Sequence, residues 1–197
     1  MRVSIFNYNV GNLYSLQAAL KREGVQPIVT KSIREVKAAD ALLLPGVGSI
    51  REAARRLPRE EIRDTVREGK PLLGICLGLQ LFFDRSEEGP GKGLQLFPGQ
   101  VKRLPSTVKI PQIGWNTVKI THHNEFLEQV PEEAWVYYVH SYYPYTEGPW
   151  VSATSEYGLE YPVVVADRNI LGTQFHPEKS GNVGRTVLHN FLQSIRK

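Results

Sequence analysis

The segment formed by residues 72–83 constrains the fold more than any other part of the chain. It begins with an apolar run, residues 72–75, that is typical of a short buried strand, and apolar residues at helical spacing follow with no room for a loop. Gly74 and Gly78 flank Cys76, and a sharp reversal of the backbone needs small residues there, because a Cβ atom would obstruct the close approach. The segment therefore predicts a strand that turns directly into a helix at Cys76.

Cys76 is the only cysteine in the chain, and two interpretations of it are open at this point. A lone cysteine among leucines is commonly a small buried apolar side chain. At a strand-to-helix corner, by contrast, we expect an exposed sulfur at a helix N-terminus, where peptide dipoles favour the thiolate and free backbone N–H groups face its target. A nucleophile also requires a base, so the rest of the chain decides between the two.

Strands and helices alternate through the first half of the chain, as the spacing of the apolar residues shows. The predicted strands are residues 2–8, 26–30, 41–44 and 72–75, and the predicted helices are residues 13–24, 33–39, 51–57 and 60–68. Strands that are continuous apolar runs are typical of a parallel sheet covered by helices on both faces. Functional side chains in such a sheet gather at the carboxyl ends of its strands.

The second half of the chain is richer in β-branched and aromatic residues. The segments with strand character are residues 95–104, 109–120, 134–145, 151–157, 161–167 and 170–175. Because turn residues separate them, they predict antiparallel meanders, and a helix with apolar positions from Val183 to Ile195 closes the chain. We therefore expect an α/β fold in a single domain, residues 1–197, with a mixed, mainly parallel central sheet, helices on both faces and added antiparallel meanders.

The composition argues against several classes of protein. The 24 Lys and Arg residues are interspersed with 20 Asp and Glu residues, a pattern typical of solvated helix faces and not of a nucleic-acid-binding stripe. One cysteine allows no internal disulfide, the N-terminus begins with a strand instead of a leader, and no apolar run approaches the roughly 18 residues that span a bilayer. We expect a soluble cytoplasmic protein with no metal, cofactor, nucleic acid or membrane partner.

His176 is the histidine best placed to act as a base for Cys76. It follows the strand predicted over residues 170–175 and precedes Pro177 and Glu178, so one short turn holds an imidazole and a carboxylate that can accept its Nδ1 proton. Three other histidines are expected to be solvated or to cap a turn or helix: His122, His123 and His189. The His-Pro-Glu turn therefore favours the interpretation of Cys76 as a nucleophile.

The cysteine corner and the His-Pro-Glu turn together resemble the class I (triad) glutamine amidotransferases. Within them, the chain is similar over essentially its whole length to the glutaminase subunits of imidazole glycerol phosphate synthase. The motifs that carry this similarity are residues 9–13, 44–49, 86–89, 110–116, 138–143 and 178–180. Two positions depart from the pattern: residues 7–9 are Asn-Tyr-Asn where the family often has Asp-Tyr-Gly, and Gln112 stands where a His is common. Both lie outside the predicted triad.

The resemblance implies a reaction and a set of site residues. Cys76 attacks the side-chain amide of glutamine, His176 transfers protons, and Glu178 orients the imidazole, so that ammonia leaves and water hydrolyses the thioester. The backbone N–H groups of Val47 and Leu77 hold the oxyanion. The residues implied to bind glutamine are Gly46, Gly48, Gln80, Glu88, Ser141 and Tyr142.

The resemblance also implies a protein partner. Free ammonia is mostly protonated near neutral pH, so it has to be passed directly to an acceptor. The family pairs its glutaminase with a cyclase subunit, a (β/α)8 barrel that docks over the active-site mouth in a heterodimer and makes imidazole glycerol phosphate and an aminoimidazole carboxamide nucleotide. The residues implied at this interface are Asn12, Trp115, Tyr137 and Lys179.

Other functions stay open at the level of the sequence. They are the glutaminase of another amidotransferase, such as pyridoxal phosphate synthase, a stand-alone cysteine hydrolase of γ-glutamyl substrates, and a binding module without activity. The glycines after the strand at residues 41–44 also suggest a phosphate-binding loop, but the Lys-Ser/Thr of a P-loop and the third glycine of a dinucleotide fingerprint are missing. Oxyanion and glutamine contacts are the better use of that loop.

Overall fold

The computed structural model describes residues 1–9 and 13–196. The interface prediction for Asn12 lies outside the described residues. The strands are β1 (Arg2–Phe6), β2 (Gln26–Thr30), β3 (Ala41–Leu44), β4 (Leu72–Ile75), β5 (Arg85–Ser86), β6 (Gln100–Arg103), β7 (Gln112–Ile120), β8 (Glu133–His140), β9 (Tyr142–Tyr145), β10 (Val151–Glu156), β11 (Glu160–Asp167) and β12 (Ile170–Thr173). The α-helices are α1 (Tyr14–Arg22), α2 (Ile33–Ala38), α3 (Ile50–Arg56), α4 (Arg59–Arg67), α5 (Leu77–Gln80) and α6 (Gly181–Ser194), with 3-10 helices at Glu125–Leu127 and Pro177–Lys179. In the part of the chain that is described, no helix is long and apolar enough to cross a membrane.

Among the described residues, nine strands form the central sheet, in the order β2-β1-β3-β4-β12-β11-β10-β7-β8. The four pairings from β2 to β12 are parallel, and the four from β12 to β8 are antiparallel. Strands β3 and β4 lie inside the parallel half and are buried at every position, as strands covered on both faces are. The predicted α/β class with a mixed sheet and antiparallel additions is confirmed.

Two apolar cores cover the two faces of the central sheet. Leu43 belongs to the core formed with α1 and α6, whereas Leu42 and Leu44 belong to the core formed with α2, α3, α4 and α5. Neighbouring side chains on a strand point to opposite faces, so this division shows that helices pack on both sides. Each fully buried leucine contributes about 1.5–3 kcal/mol to this packing, which holds the strand ends firmly in place.

The strand predicted over residues 134–145 is broken at Ser141, and its two halves belong to different sheets. Strand β8 ends the central sheet, whereas β9 pairs with β6 in a separate three-stranded sheet. The Ser141 carbonyl accepts a hydrogen bond from the Leu104 N–H at 2.9 Å, which anchors the crossing point beside the end of β6. The break depends on pairing partners distant in sequence, which local periodicity does not report.

The helix predicted after Cys76 is only one turn long. The chain stays buried beyond it, but the carbonyl groups of Leu81 and Phe82 accept hydrogen bonds from the Leu94 and Leu96 N–H groups, at 2.7 Å and 2.8 Å. Those carbonyls would otherwise receive bonds from the next helical turn. A later segment of the chain therefore ends α5, and its apolar residues serve the core instead of a long helix.

Candidate active site

Cys76 lies at the corner between β4 and α5, where the sequence predicts a sharp reversal. Its φ of 54° and ψ of −103° are unusual for a residue with a Cβ atom. The Cys76 N–H donates to the Thr173 carbonyl at 2.7 Å, which ties the corner to β12. A Cβ atom at Gly78 would lie 1.6 Å from the Leu44 carbonyl oxygen, so only glycine allows α5 to start this close to β3.

The sulfur of Cys76 is buried, and the expectation of an exposed sulfur is wrong. The residue is 3% exposed, and its Sγ lies 3.7 Å from the Val139 carbonyl oxygen and 3.5 Å from Nε2 of Gln174. At a free helix N-terminus the sulfur would face solvent. Here Val139 of β8 and Gln174, the residue after β12, cover it. Cys76 instead lines a cavity of about 420 Å³.

His176 lies just beyond β12, which pairs with β4 in parallel register. Because both strands end at the same edge of the sheet, the His176 and Cys76 side chains become neighbours. The backbone N–H of His176 donates to the Tyr137 carbonyl at 2.9 Å. The ring atom Nδ1 of His176 lies 2.8 Å from Oε1 of Glu178. The fold thus brings together the three residues predicted to form the triad.

The charges around His176 favour its protonated form. Burial lowers the pKa of His176, but the neighbouring charges of Cys76 and Glu178 outweigh burial and raise that pKa above its usual value. Two buried atoms in this group, Nε2 of His176 and Oε2 of Glu178, have no hydrogen-bond partner among the residues described. Nε2 is therefore not committed to another part of the protein and can exchange a proton with a bound reactant.

Most of the residues predicted to bind glutamine line the cavity at Cys76. Its walls include Val47, Gly48, Leu77, Gln80, Glu88, Ser141 and Tyr142. Gly46 borders a separate cavity of about 50 Å³ that His176 and Glu178 also line. A more open cavity of about 750 Å³, around Phe97 and Tyr145, contains none of the predicted site residues. The candidate site is therefore identified by the residues that line the cavity and not by the volume of the cavity.

Gln80 and Glu88 also support the walls of this cavity. Nε2 of Gln80 lies 2.8 Å from the Tyr142 carbonyl oxygen and 3.1 Å from Oε1 of Gln174, so both of its hydrogens are used. Oε2 of Glu88 accepts a hydrogen bond from the Ile50 N–H at 2.6 Å, at the start of α3. Each side chain therefore has part of its polar capacity fixed by the protein and part left for a ligand.

The Leu77 N–H, predicted to hold the oxyanion, has a partner within the chain. It donates to the Gly46 carbonyl at 3.2 Å. The second predicted donor belongs to Val47, the next residue, which is 37% exposed. In this conformation the Leu77 N–H is not free for a ligand, and it becomes free only if the Gly46 carbonyl moves.

Three residues predicted at the partner interface lie together near the site. Trp115 is opposite Tyr137 in the pairing of β7 with β8, and their ring centres are 6.1 Å apart. Nζ of Lys179 lies 5.5 Å from the centre of the Tyr137 ring. Trp115 is 53% exposed, so this group presents aromatic surface to the outside.

Two buried polar residues at the site were missed by the sequence analysis, His140 and Gln174. Nδ1 of His140 lies 2.9 Å from the Tyr142 carbonyl oxygen and Nε2 lies 3.3 Å from the Tyr161 hydroxyl. Burial, aided by the charge of His176, lowers the pKa of His140 to about 4. The alternating burial along β8 could have placed His140 inward. No local signal points to the contact of Gln174 with Cys76, because it depends on which strand lies beside β4.

Some known proteins are similar to this chain in sequence over nearly its whole length, and others are similar to it in fold. "Imidazole glycerol phosphate synthase subunit HisH" of Caldanaerobacter subterraneus subsp. tengcongensis is 43% identical over 98% of this chain and 98% of its own. The protein of the same name from Archaeoglobus fulgidus is 43% identical over 99% of this chain and 100% of its own. The solved structure of PurLQS from Thermotoga maritima has a TM-score of 0.78 at 19% identity, covering 98% of this chain and 97% of that chain, a similarity that shows the fold alone.

The family profile "Glutamine amidotransferase class-I" matches nearly the whole sequence, residues 4–195. This match agrees with the corner at Cys76 and with the adjacent His-Pro-Glu turn. The chain belongs to the class-I glutamine amidotransferase family.

Proposed function

We propose that this chain is the glutaminase subunit of an imidazole glycerol phosphate synthase, in histidine biosynthesis. It hydrolyses L-glutamine to L-glutamate and ammonia and passes the ammonia to a cyclase subunit. The observation that carries the proposal is that Cys76, His176 and Glu178 meet at the ends of two neighbouring parallel strands, beside a cavity. The relatives named as HisH subunits of imidazole glycerol phosphate synthase support the choice of synthase.

In the first half of the reaction, Cys76 supplies the nucleophile. His176 holds the thiol proton, which its raised pKa favours, and the sulfur reacts as a thiolate. The thiolate adds to the side-chain amide carbon of glutamine, and the carbonyl oxygen takes up the negative charge. Nε2 of His176 then gives its proton to the amide nitrogen, the C–N bond breaks, and ammonia leaves a γ-glutamyl thioester on Cys76.

In the second half, water hydrolyses the thioester. The now neutral His176 removes a proton from water, the hydroxide adds to the thioester carbon, and the C–S bond breaks. Glutamate leaves, and the sulfur returns as a thiolate beside the imidazolium. Because Glu178 holds Nδ1 at 2.8 Å, the same Nε2 atom transfers the proton in both halves.

Stabilisation of the oxyanion requires a change in the loop at residues 46–48. The Gly46 carbonyl occupies the Leu77 N–H in the present conformation. Rotation of the peptide between Gly46 and Val47 frees the Leu77 N–H and turns the Val47 N–H toward the cavity. A partner that favours the rotated form thereby switches the glutaminase on, because binding shifts the population between two conformations.

An exposed apolar face supports the docking of a partner beside the site. Ile113, Trp115 and Trp135 are 62%, 53% and 61% exposed, and their positions in β7 and β8 share one face of the sheet. Val139 lies on the same face, and its carbonyl oxygen is 3.7 Å from the Cys76 sulfur. Exposed aromatic patches of this kind are typical of protein interfaces. A (β/α)8 barrel docked here, as a heterodimer, receives ammonia close to where it forms.

The proposal is tested with the purified chain, a cyclase subunit and the cyclase's nucleotide substrate. We expect slow glutamine hydrolysis by the chain alone and much faster hydrolysis with the loaded cyclase. Full turnover without a partner would contradict the synthase assignment and favour a stand-alone hydrolase. Cys76→Ala should abolish hydrolysis while binding of the cyclase persists, and an unchanged rate in this variant would exclude Cys76 as the nucleophile.

A further inference from the structure

The Cys76 sulfur has a hydrogen-bond donor that does not belong to the triad. Gln174, the first residue after β12, is fully buried, and its Nε2 lies 3.5 Å from Sγ. We infer that Gln174 is a further catalytic residue, which donates a hydrogen bond to the Cys76 thiolate. The inference rests on the proposed function, since it takes Cys76 as the nucleophile.

The orientation of the Gln174 amide follows from its neighbours. The Tyr142 carbonyl can only accept, so Gln80 must present its Nε2 to it, at 2.8 Å. The same Nε2 faces the Gln174 side chain at 3.1 Å and has a hydrogen to donate, so Gln174 must present its oxygen there. The Gln174 Nε2 is thereby left facing the Cys76 sulfur. One backbone carbonyl thus fixes two amides in series and points a donor at the nucleophile.

The surroundings of the sulfur suit both of its protonation states. As a thiol, Cys76 can donate its proton toward the Val139 carbonyl oxygen, 3.7 Å away. As a thiolate, it has no proton to give and needs a donor, which Gln174 supplies, while the positive charge of the neighbouring protonated His176 also favours it. Hydrogen bonds to a charged atom are about twice as strong as those between neutral groups, so the Gln174 N–H favours the thiolate over the thiol.

A merely structural role for Gln174 accounts for only half of its contacts. Its oxygen is satisfied by Gln80, which would suffice to hold the two side chains together. Its Nε2, by contrast, faces a sulfur, and a neutral thiol is a weak acceptor. Burying an amide N–H against such a poor partner is costly. The arrangement is favourable mainly when the sulfur carries a negative charge, as it does before attack on glutamine.

Alkylation of the sulfur tests the inference without glutamine and without a partner. Cys76 is the only cysteine, so the uptake of iodoacetamide by the full chain reports this sulfur alone. Gln174→Met keeps the approximate volume and removes the donor. We expect the pH midpoint of alkylation to rise by about one unit and the rate at pH values below the wild-type midpoint to fall about tenfold, which corresponds to the loss of one hydrogen bond to a charged group. We also expect a drop in kcat of about tenfold with KM little changed.

Two further variants complete the experiment. Gln112→Met is the matched control, since Gln112 is also buried and hydrogen-bonded, to the Tyr161 hydroxyl at 2.7 Å, and it should leave the alkylation midpoint unchanged. If Gln174→Met does not fold, Gln80→Met removes the donor that fixes the Gln174 amide and should raise the midpoint by a smaller amount.

The outcomes of these experiments are separable. If Gln174→Met folds and its alkylation midpoint equals that of the wild type, the inference is overturned. If Gln174→Met does not fold, a wild-type midpoint in Gln80→Met overturns it. A shift of the same size in Gln112→Met would do so as well. Glutamine hydrolysis that survives Cys76→Ala would instead overturn the proposed function itself.

Discussion

The Glu178 carboxylate, together with Cys76, favours the protonated form of His176. Its Oε1 lies 2.8 Å from Nδ1 and helps to raise the pKa of His176. Glu178→Gln keeps the shape but removes the charge, so the pKa falls and the imidazolium is lost at a lower pH. We expect kcat to drop about 10- to 100-fold and the alkaline limb of its pH profile to move to lower pH. Glu160→Gln, at an exposed carboxylate bonded to Thr154, is the control. An alkaline limb that does not move in Glu178→Gln would contradict this role.

His140 makes the stability of the fold depend on pH. Its pKa falls from 6.5 to about 4 on burial, so the unfolded chain takes up a proton below about pH 6.5 while the folded chain stays neutral until about pH 4. A shift of this size removes about 3 kcal/mol of stability as the pH falls through that window. Chemical denaturation should therefore show a flatter pH dependence for His140→Gln than for the wild type, whereas exposed His122→Gln should keep the wild-type slope. Equal slopes for His140→Gln and the wild type would contradict burial of the neutral form.

What the sequence can predict at the scale of residues depends on distance along the chain. His176 and Glu178 are two residues apart, so their pairing could be expected from the strand end and the intervening proline. The contact between Gln174 and Cys76 joins residues 98 positions apart. It exists only because β12 inserts beside β4, and no local pattern reports that neighbour. The burial of the sulfur was missed for the same reason, since β8 comes from a distant part of the chain.

At the scale of elements, helix α6 supports the turn that carries the His-Pro-Glu residues. A Cβ atom at Gly184 would lie 2.0 Å from the Pro177 carbonyl oxygen, so Gly184→Ala must push the helix and turn apart. We expect a loss of about 1–3 kcal/mol from overpacking. We also expect a kcat up to about 100-fold lower, since a 1 Å misplacement of a reacting group has effects of that order. Thermal unfolding and glutaminase assays measure the two effects.

Gly91→Ala is the matched control for Gly184→Ala. A Cβ atom there would meet the Ala54 Cβ at 3.4 Å, an ordinary contact. The free energy of unfolding of Gly91→Ala should stay within about 0.5 kcal/mol of the wild-type value. Wild-type stability and kcat in Gly184→Ala would show that the close approach of α6 does not position the turn.

Elements whose limits are set locally could be predicted, and elements ended by distant contacts could not. The apolar runs β3 and β4 and their covering helices follow from periodicity alone, because burial on both faces leaves a continuous apolar sequence. The end of α5 depends on Leu94 and Leu96, and the break at Ser141 depends on Leu104. Both endings are hydrogen bonds from other segments, so the sequence suggested a longer helix and an unbroken strand.

At the scale of the whole molecule, the site and the proposed docking face are two sides of one strand pair. The inward side chains of β8 alternate with outward ones, and the inward set ends at His140, which lines the cavity at Cys76. The outward set includes Trp135 and Tyr137, opposite Thr117 and Trp115 of β7. The Tyr137 carbonyl also accepts the His176 N–H at 2.9 Å. A partner that moves β8 therefore also moves a direct hydrogen-bond partner of His176, one of the proposed catalytic residues.

The outward aromatic face makes a prediction about assembly. Trp115 is 53% exposed and contacts Tyr137 by its ring edge, so Trp115→Ala removes a large apolar anchor while little of the core changes. Interface tryptophans commonly contribute about 2 kcal/mol or more, so we expect the cyclase subunit to bind at least about 30-fold more weakly, as calorimetric titration would show, with an unchanged unfolding temperature. Tyr145→Ala is the matched control, because Tyr145 is 46% exposed and lies on β9, in the other sheet. Equal weakening by both variants, or none by Trp115→Ala, would place the partner elsewhere on the surface.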